Sequence, residues 1–140
     1  MGILDTDRVS DAQPAVAIAR LVWAGPATVL ASLGAVHIVR WLATRMPDVR
    51  RDAAPFGLVP VTIDTAVLCT LAVIVFALVA AFHDDAVRRF RWIALGALLT
   101  SFLPLIGVGN LATVLGIAAM HVAAYVPCVT LLPWLVEGTQ

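Results

Sequence analysis

Between Arg91 and Glu137 the chain carries no Asp, Glu, Lys or Arg. A soluble fold must cover itself with polar side chains, and a run this long and this bare leaves it nothing to cover itself with. Lipid is the simplest surrounding that accepts such a run, because it far exceeds the ~20 residues one membrane span requires. The rest of the chain agrees. Its 140 residues are 61% hydrophobic and 13% charged, whereas soluble domains average about 25% charged. A backbone inside hydrocarbon must satisfy its own hydrogen bonds, which for uninterrupted apolar runs means α-helices.

Punctuation by charge, Pro and Gly divides the chain into four spans. The first covers about 21–41, bracketed by Arg20 and Arg40; the uncharged stretch between them measures about 28 Å as helix. Gly25-Pro26 near its start either kinks the helix or sits in its first turns. Ala43–Pro60, with Arg45, Pro47, Asp48, Arg50, Arg51, Asp52, Pro55 and Gly57, reads as a loop. The second span covers about 59–82 and is broken only by Asp64. A charged turn follows, made of His83-Asp84-Asp85 and Arg88-Arg89-Phe90-Arg91. The third span covers about 92–108, Gly107-Val-Gly109-Asn110 reverses the chain, and the fourth covers about 111–135. Pro127 and Pro133 predict a kink or an early end to that last helix.

The reading is one all-α integral membrane domain over 19–136, a four-transmembrane-helix bundle in up-down-up-down order. A polar tail precedes it over 1–18 and a short one follows over 137–140. Acids precede the first apolar run, which is long enough to span, so that run reads as a retained helix and not a cleaved signal. Trp23, Trp41, Trp92 and Trp134 all fall at predicted span ends, where interfacial tryptophans belong. Four spans put both termini on one side, with Arg8, Arg20, Arg88, Arg89 and Arg91; the other side holds Arg45, Arg50 and Arg51, with Arg40 at the boundary. The positive-inside rule therefore favours a multi-pass protein of the inner (plasma) membrane with cytoplasmic termini.

The formal net charge is zero, every basic residue is Arg, and Arg20, Arg40 and Arg91 sit at the ends of apolar runs. That pattern serves headgroups and excludes a nucleic-acid partner. The partners it implies are the lipid bilayer and either further copies of the chain or a larger membrane complex. Small residues four apart, Ala27, Ala31 and Ala35 on span one and Ala112/Gly116 and Ala119/Ala123 on span four, are candidate helix–helix seams. Cys69 and Cys128 lack CxxC spacing and read as small buried hydrophobes.

The polar residues inside the spans are the candidate site. Asp64 lies a turn or two inside the loop end of span two. His37 and Arg40, three apart on one side of span one, approach the same end. One reading is a binding site for a proton, a cation or a polar headgroup, with Asp64 as acceptor, His37 as titratable partner and Arg40 as countercharge. The alternatives are an ion pair pinning span one to span two, or an Asp64 protonated by desolvation. His121 lies near the middle of span four, with Tyr125 one turn on. A buried His can ligate haem or relay protons, but His37 and His83 lie at unsuitable depths for a second haem ligand, so a hydrogen bond to its surroundings is the plainer role. Asn110 closes the last turn, and Thr100 and Ser101 bond within or between helices.

No phosphate loop, GxGxxG, HExxH, GxSxG or CxxC occurs, and no pattern calls for a metal or cofactor. Three functions remain in order. The first is a non-enzymatic accessory or structural subunit. The second is a small-solute or proton-linked transporter or binding protein using Asp64 and His37, in which Asp64→Asn abolishes uptake. The third is a membrane enzyme or cofactor carrier using His121 and Tyr125.

Arg88-Arg89-Phe90-Arg91-Trp92 leading into span three, Ser101-Phe-Leu-Pro104-Leu near its end, and Met120-His121 followed by Pro127 in span four form a recognisable layout. It resembles a widespread bacterial family of small four-span membrane proteins that carry a domain of unknown function. The resemblance covers roughly Ala19 to Trp134. It implies cytoplasmic termini and a role for His121, and it brings no activity with it. Asp64, His37 and Arg40 belong to none of its motifs.

Overall fold

The computed structural model describes residues 13–46, 49, 54–107 and 110–137. Helix α1 spans Gln13–Ala43, α2 spans Leu58–Phe82, α3 spans Ala86–Ser101 and α4 spans Leu111–Glu137. One-turn 3-10 segments, Ala54–Phe56 and Leu103–Gly107, lie before α2 and after α3. Four stretches are long and apolar enough to cross a membrane: Ala19–Ala43, Leu58–Phe82, Ala86–Gly107 and Leu111–Val136. The architecture is the expected all-α bundle.

Four boundaries differ from expectation. α1 begins at Gln13, so Pro26 sits well inside a continuous helix; the first twelve residues of the expected tail lie outside the described residues. Pro60 belongs to the first turn of α2, where a missing N–H costs nothing. The Arg88–Arg91 cluster is helical, not a turn. Its charges are organised by Asp85, whose carboxylate accepts from Arg89 Nε at 2.6 Å and from Arg88. These bonds, Arg89's the stronger, hold the exposed Asp85 carboxyl at about 2. Finally, α4 runs unbroken through Pro127 and Pro133 to Glu137. Of the reversal at 107–110, Asn110 opens α4 by accepting from the Thr113 N–H at 3.3 Å, while residues 108 and 109 lie outside the described residues.

The longest seam joins α1 to α4, and α1 also packs on α2, while α3 leans on α2 and α4. On α1 the fully buried stripe is Ala24, Thr28, Ser32 and Val36. Ala27, Ala31 and Ala35, the expected seam, are only half-buried beside it. Thr28 and Ser32 can line an apolar seam because their hydroxyls have partners: Thr28 donates to the Ala24 carbonyl at 2.8 Å and Ser32 to the Ala124 carbonyl of α4 at 3.3 Å. On α4, Ala112 and Ala123 do pack inward, whereas Ala119 faces out. Arg20 closes the terminal end of the seam, its Nη1 donating to the Val136 carbonyl at 3.0 Å. This is a cation on the last turn of a helix, where carbonyls lack internal partners.

Two hydrophobic clusters fill the bundle. Ala24, Phe76, Phe90, Val129, Leu132 and Val136 form one toward the termini, with Phe76 and Phe90 edge-to-face at 5.1 Å. Val36, Ala43, Val49, Phe56, Val61 and Met120 form the other toward the loop. The outward faces carry large exposed aliphatics, and all four tryptophans are exposed; Trp41 and Trp134 lie near helix ends as expected, whereas the longer α1 and α3 place Trp23 and Trp92 well inside their helices.

Gly116 is the tightest point of the loop-side cluster. A Cβ there would lie 3.0 Å from Phe56 Cζ and 3.2 Å from Ala43 Cβ, whereas one on Gly34 would meet nothing within 4 Å. Gly116→Leu is therefore expected to lower stability by about 1–3 kcal/mol, the usual cost of overpacking. Gly34→Leu is expected to be near neutral. Reversible unfolding in mixed detergent micelles measures both; equal effects would contradict the packing described.

Candidate functional site

At the loop end of the bundle, Thr62 sits one turn into α2 and donates its hydroxyl hydrogen to the Leu58 carbonyl at 2.7 Å. Its oxygen can then only accept from His37 Nε2, 3.0 Å away. In the neutral ring the proton thus sits on Nε2 and the lone pair on Nδ1. Nδ1 is buried without a hydrogen-bond partner. Arg40, one turn further along α1, donates through Nε to the Phe56 carbonyl at 2.6 Å. Phe56 is fully buried, so this bond anchors the chain entering α2.

His37 and Arg40 are therefore committed to structural partners, and the expected cluster with Asp64 does not form. Thr62 and Asp64 are two residues apart, roughly 200° around a helix. Once Thr62 faces α1, Asp64 must face away. It is exposed on α2, and among the described residues no hydrogen bond or ion pair reaches it.

Asp64 instead lines a groove that also includes the other singled-out titratable residue, His121. A groove of about 430 Å³ between α2 and α4 is lined by Asp64, Thr65 and His121, and otherwise by apolar groups including Val61, Leu68 and Met120. A second, smaller cavity of about 230 Å³ lies among α2, α3 and α4, and its lining includes Tyr125, Ser101, Cys69 and Cys128. The two share Leu68, His121 and Ala124, so His121 stands at their junction. The space exists because α3 ends at Ser101 and the chain leaves in a 3-10 turn, so that no α3 residue lines the loop-side groove.

His121 Nδ1 lies 2.9 Å from the Ile117 carbonyl. A carbonyl only accepts, so Nδ1 carries the proton, and in the neutral ring Nε2 keeps a lone pair. Phe102 packs on the ring at 6.1 Å and 68°. His83 sits at the opposite end of the bundle as the residue capping α2. Among the described residues no group of three or more His, Cys, Asp or Glu is placed to hold a metal ion.

The polar lining of the groove is weighted toward acceptance: a carboxylate, an imidazole lone pair and one hydroxyl. It suits a guest with an apolar body and a positively charged, hydrogen-donating head. Thr65 in the groove, Thr62 in the bond to α1 and Ser32 in the α1–α4 seam were not singled out from sequence, because a Thr or Ser in an apolar run signals nothing until its helix face is known. Comparison of the chain with known protein families, with curated proteins and with solved structures finds no match.

The Thr62–His37 bond is testable. Thr62→Val leaves the His37 N–H facing an apolar group, and is expected to cost about 1–3 kcal/mol, the penalty for an unmade bond. Adding His37→Phe removes both polar partners and is expected to recover most of the loss. Micellar unfolding of the two variants reads this; a double variant no more stable than Thr62→Val contradicts the bond.

Proposed function

We propose that this protein is a non-enzymatic membrane binding protein that takes a lipophilic organic cation into the α2–α4 groove, with Asp64 as its counter-charge. The observation that carries the reading is the convergence of Asp64, Thr65 and His121 on one otherwise apolar groove. A carboxylate on a membrane span costs roughly 2.5–3.5 kcal/mol at mid-depth on insertion scales, and such residues usually serve a ligand or ion path. An ammonium guest offsets that cost, and its apolar body suits Leu68 and Met120. The volume falls within the usual range for small-molecule sites, about 300–1,000 Å³. Binding of this kind is also the first step of transport, in which His121, in place of His37, is the residue that accompanies Asp64.

The accessory-subunit reading has its own support. Asp64 is exposed beside Ile63 and Val67, which are exposed too, so a cation on a neighbouring subunit's helix reaches it as readily as a free guest. Native mass spectrometry from mild detergent separates the two: a small organic mass retained on the chain supports binding, and a co-purifying membrane subunit supports the accessory role. In either case the termini lie on the cytoplasmic side of the inner membrane, on the arginine distribution given above. An alkaline phosphatase fused after Gln140 should be inactive there; an active fusion reverses the orientation.

Titration of nanodisc-embedded protein with a phenylalkylamine, followed by tryptophan fluorescence or calorimetry, tests the proposal. Asp64→Asn is expected to weaken binding about tenfold or more, as loss of a charged hydrogen bond does. The alcohol of the same carbon skeleton is expected to bind poorly. Equal affinity for amine and alcohol, or an unaffected Asp64→Asn, overturns it.

A further inference from the structure

Cys69 and Cys128 are 59 positions apart in sequence (128 − 69), yet the fold brings them together. Cys69 lies on α2 at 2% exposure and Cys128 on α4 at 5%, and both border the same small cavity among α2, α3 and α4. Ser32 of α1, fully buried, places its hydroxyl 3.8 Å from Cys128 Sγ. Three helices thus meet at mid-bundle through small, polarizable groups, between the two hydrophobic clusters. Both sulfurs also line the smaller cavity, whose other walls include Leu71, Phe90, Ile93 and Tyr125. Packing alone does not ask for two thiols here, since Ala or Val would fill the same space without a reactive group.

We propose that Cys69 and Cys128 form a redox-convertible cross-link between α2 and α4, oxidised by a membrane-soluble quinone that reaches them through the smaller cavity. The reaction balances without further reagents. Each thiol loses its hydrogen, one S–S bond forms, and the two electrons and two protons convert the quinone to its hydroquinone. Dithiol and disulfide are both uncharged, so neither end state buries an ion in the apolar bundle, where an unpaired charge is costly. A quinone is the oxidant that fits the surroundings: it partitions into lipid, accepts two electrons, and presents a flat ring to an aromatic and aliphatic lining. The bond ties together two helices that touch along only a short seam, and it does so one residue beyond Leu68, which the cavity shares with the Asp64 groove.

The test uses the full chain, reduced and embedded in nanodiscs, with a short-chain benzoquinone as probe. Intact mass after denaturing alkylation counts free thiols, and ultraviolet absorbance counts hydroquinone. The expected result is loss of both alkylatable thiols within single chains, one hydroquinone formed per chain, and none formed by Cys69→Ser or Cys128→Ser. Diamide, a small oxidant that needs no quinone site, is run beside it. Two thiols still fully alkylatable after diamide show that the sulfurs cannot join and overturn the cross-link. Ready closure by diamide with no reaction toward the quinone overturns the assignment of the cavity. Disulfides found only between chains overturn the proposal as a whole.

Discussion

Lipid supplies no hydrophobic force to hold two apolar helices together, so which faces meet depends on how closely backbones can approach and on what polar groups bond across the gap. In this bundle that constraint is met by the seam of α1 with α4. Ala24, Thr28, Ser32 and Val36 present a narrow surface, and Ser32 adds a bond to the opposing backbone. Everything else is arranged around that contact. Gly25 lets α1 also lie against Val73 of α2, Gly116 admits the Phe56 ring, and α3 is left to lean on the outside of α2 and α4. A groove forms where the shortest helix gives out.

The polar residues then divide by duty. At the loop end, the His37–Thr62 and Arg40–Phe56 bonds fasten α1 to the start of α2; at the other end, Arg20 fastens α1 to the finish of α4. These bonds run from histidine to a hydroxyl or from arginine to backbone carbonyls, which hold geometry without placing opposite charges side by side. Asp64 and His121 stand apart from both fastenings, each with unused hydrogen-bonding capacity turned toward the groove. On α2 the fastening residue Thr62 and the groove residue Asp64 therefore lie on different faces.

The spans were legible in the sequence because length and lack of charge decide what crosses a bilayer, and neither depends on which way a helix is turned. Rotation was not legible, and the site depends on it. Ala27, Ala31 and Ala35 have the spacing of a seam, but so do Ala24, Thr28 and Ser32, and only the shape of α4 selects between them. Likewise His37, Arg40 and Asp64 do approach one end of the bundle, as expected. Thr62, closer to the mouth of α2, captures the histidine, and the turn of the helix then carries Asp64 out of reach. The placement of Asp64 and His121 on one groove required knowing that α3 stops short, which the Gly107–Asn110 reversal hinted at only as a turn. The meeting of Cys69 with Cys128 had no local signal at all, since it depends on the relative turn of two helices separated by a third.

The most extensive contact in the molecule joins its first helix to its last. During synthesis α1 enters the bilayer long before α4 exists, so its Ala24–Val36 face must wait against lipid, and Arg20 must wait for a carbonyl not yet made. Contacts this distant in sequence form late in assembly. A chain halted before Leu111 retains three spans, but it lacks the surface that gathers them. The last helix therefore completes the bundle: until it arrives, the strip of small and hydroxyl-bearing residues on α1 lacks the surface that buries it.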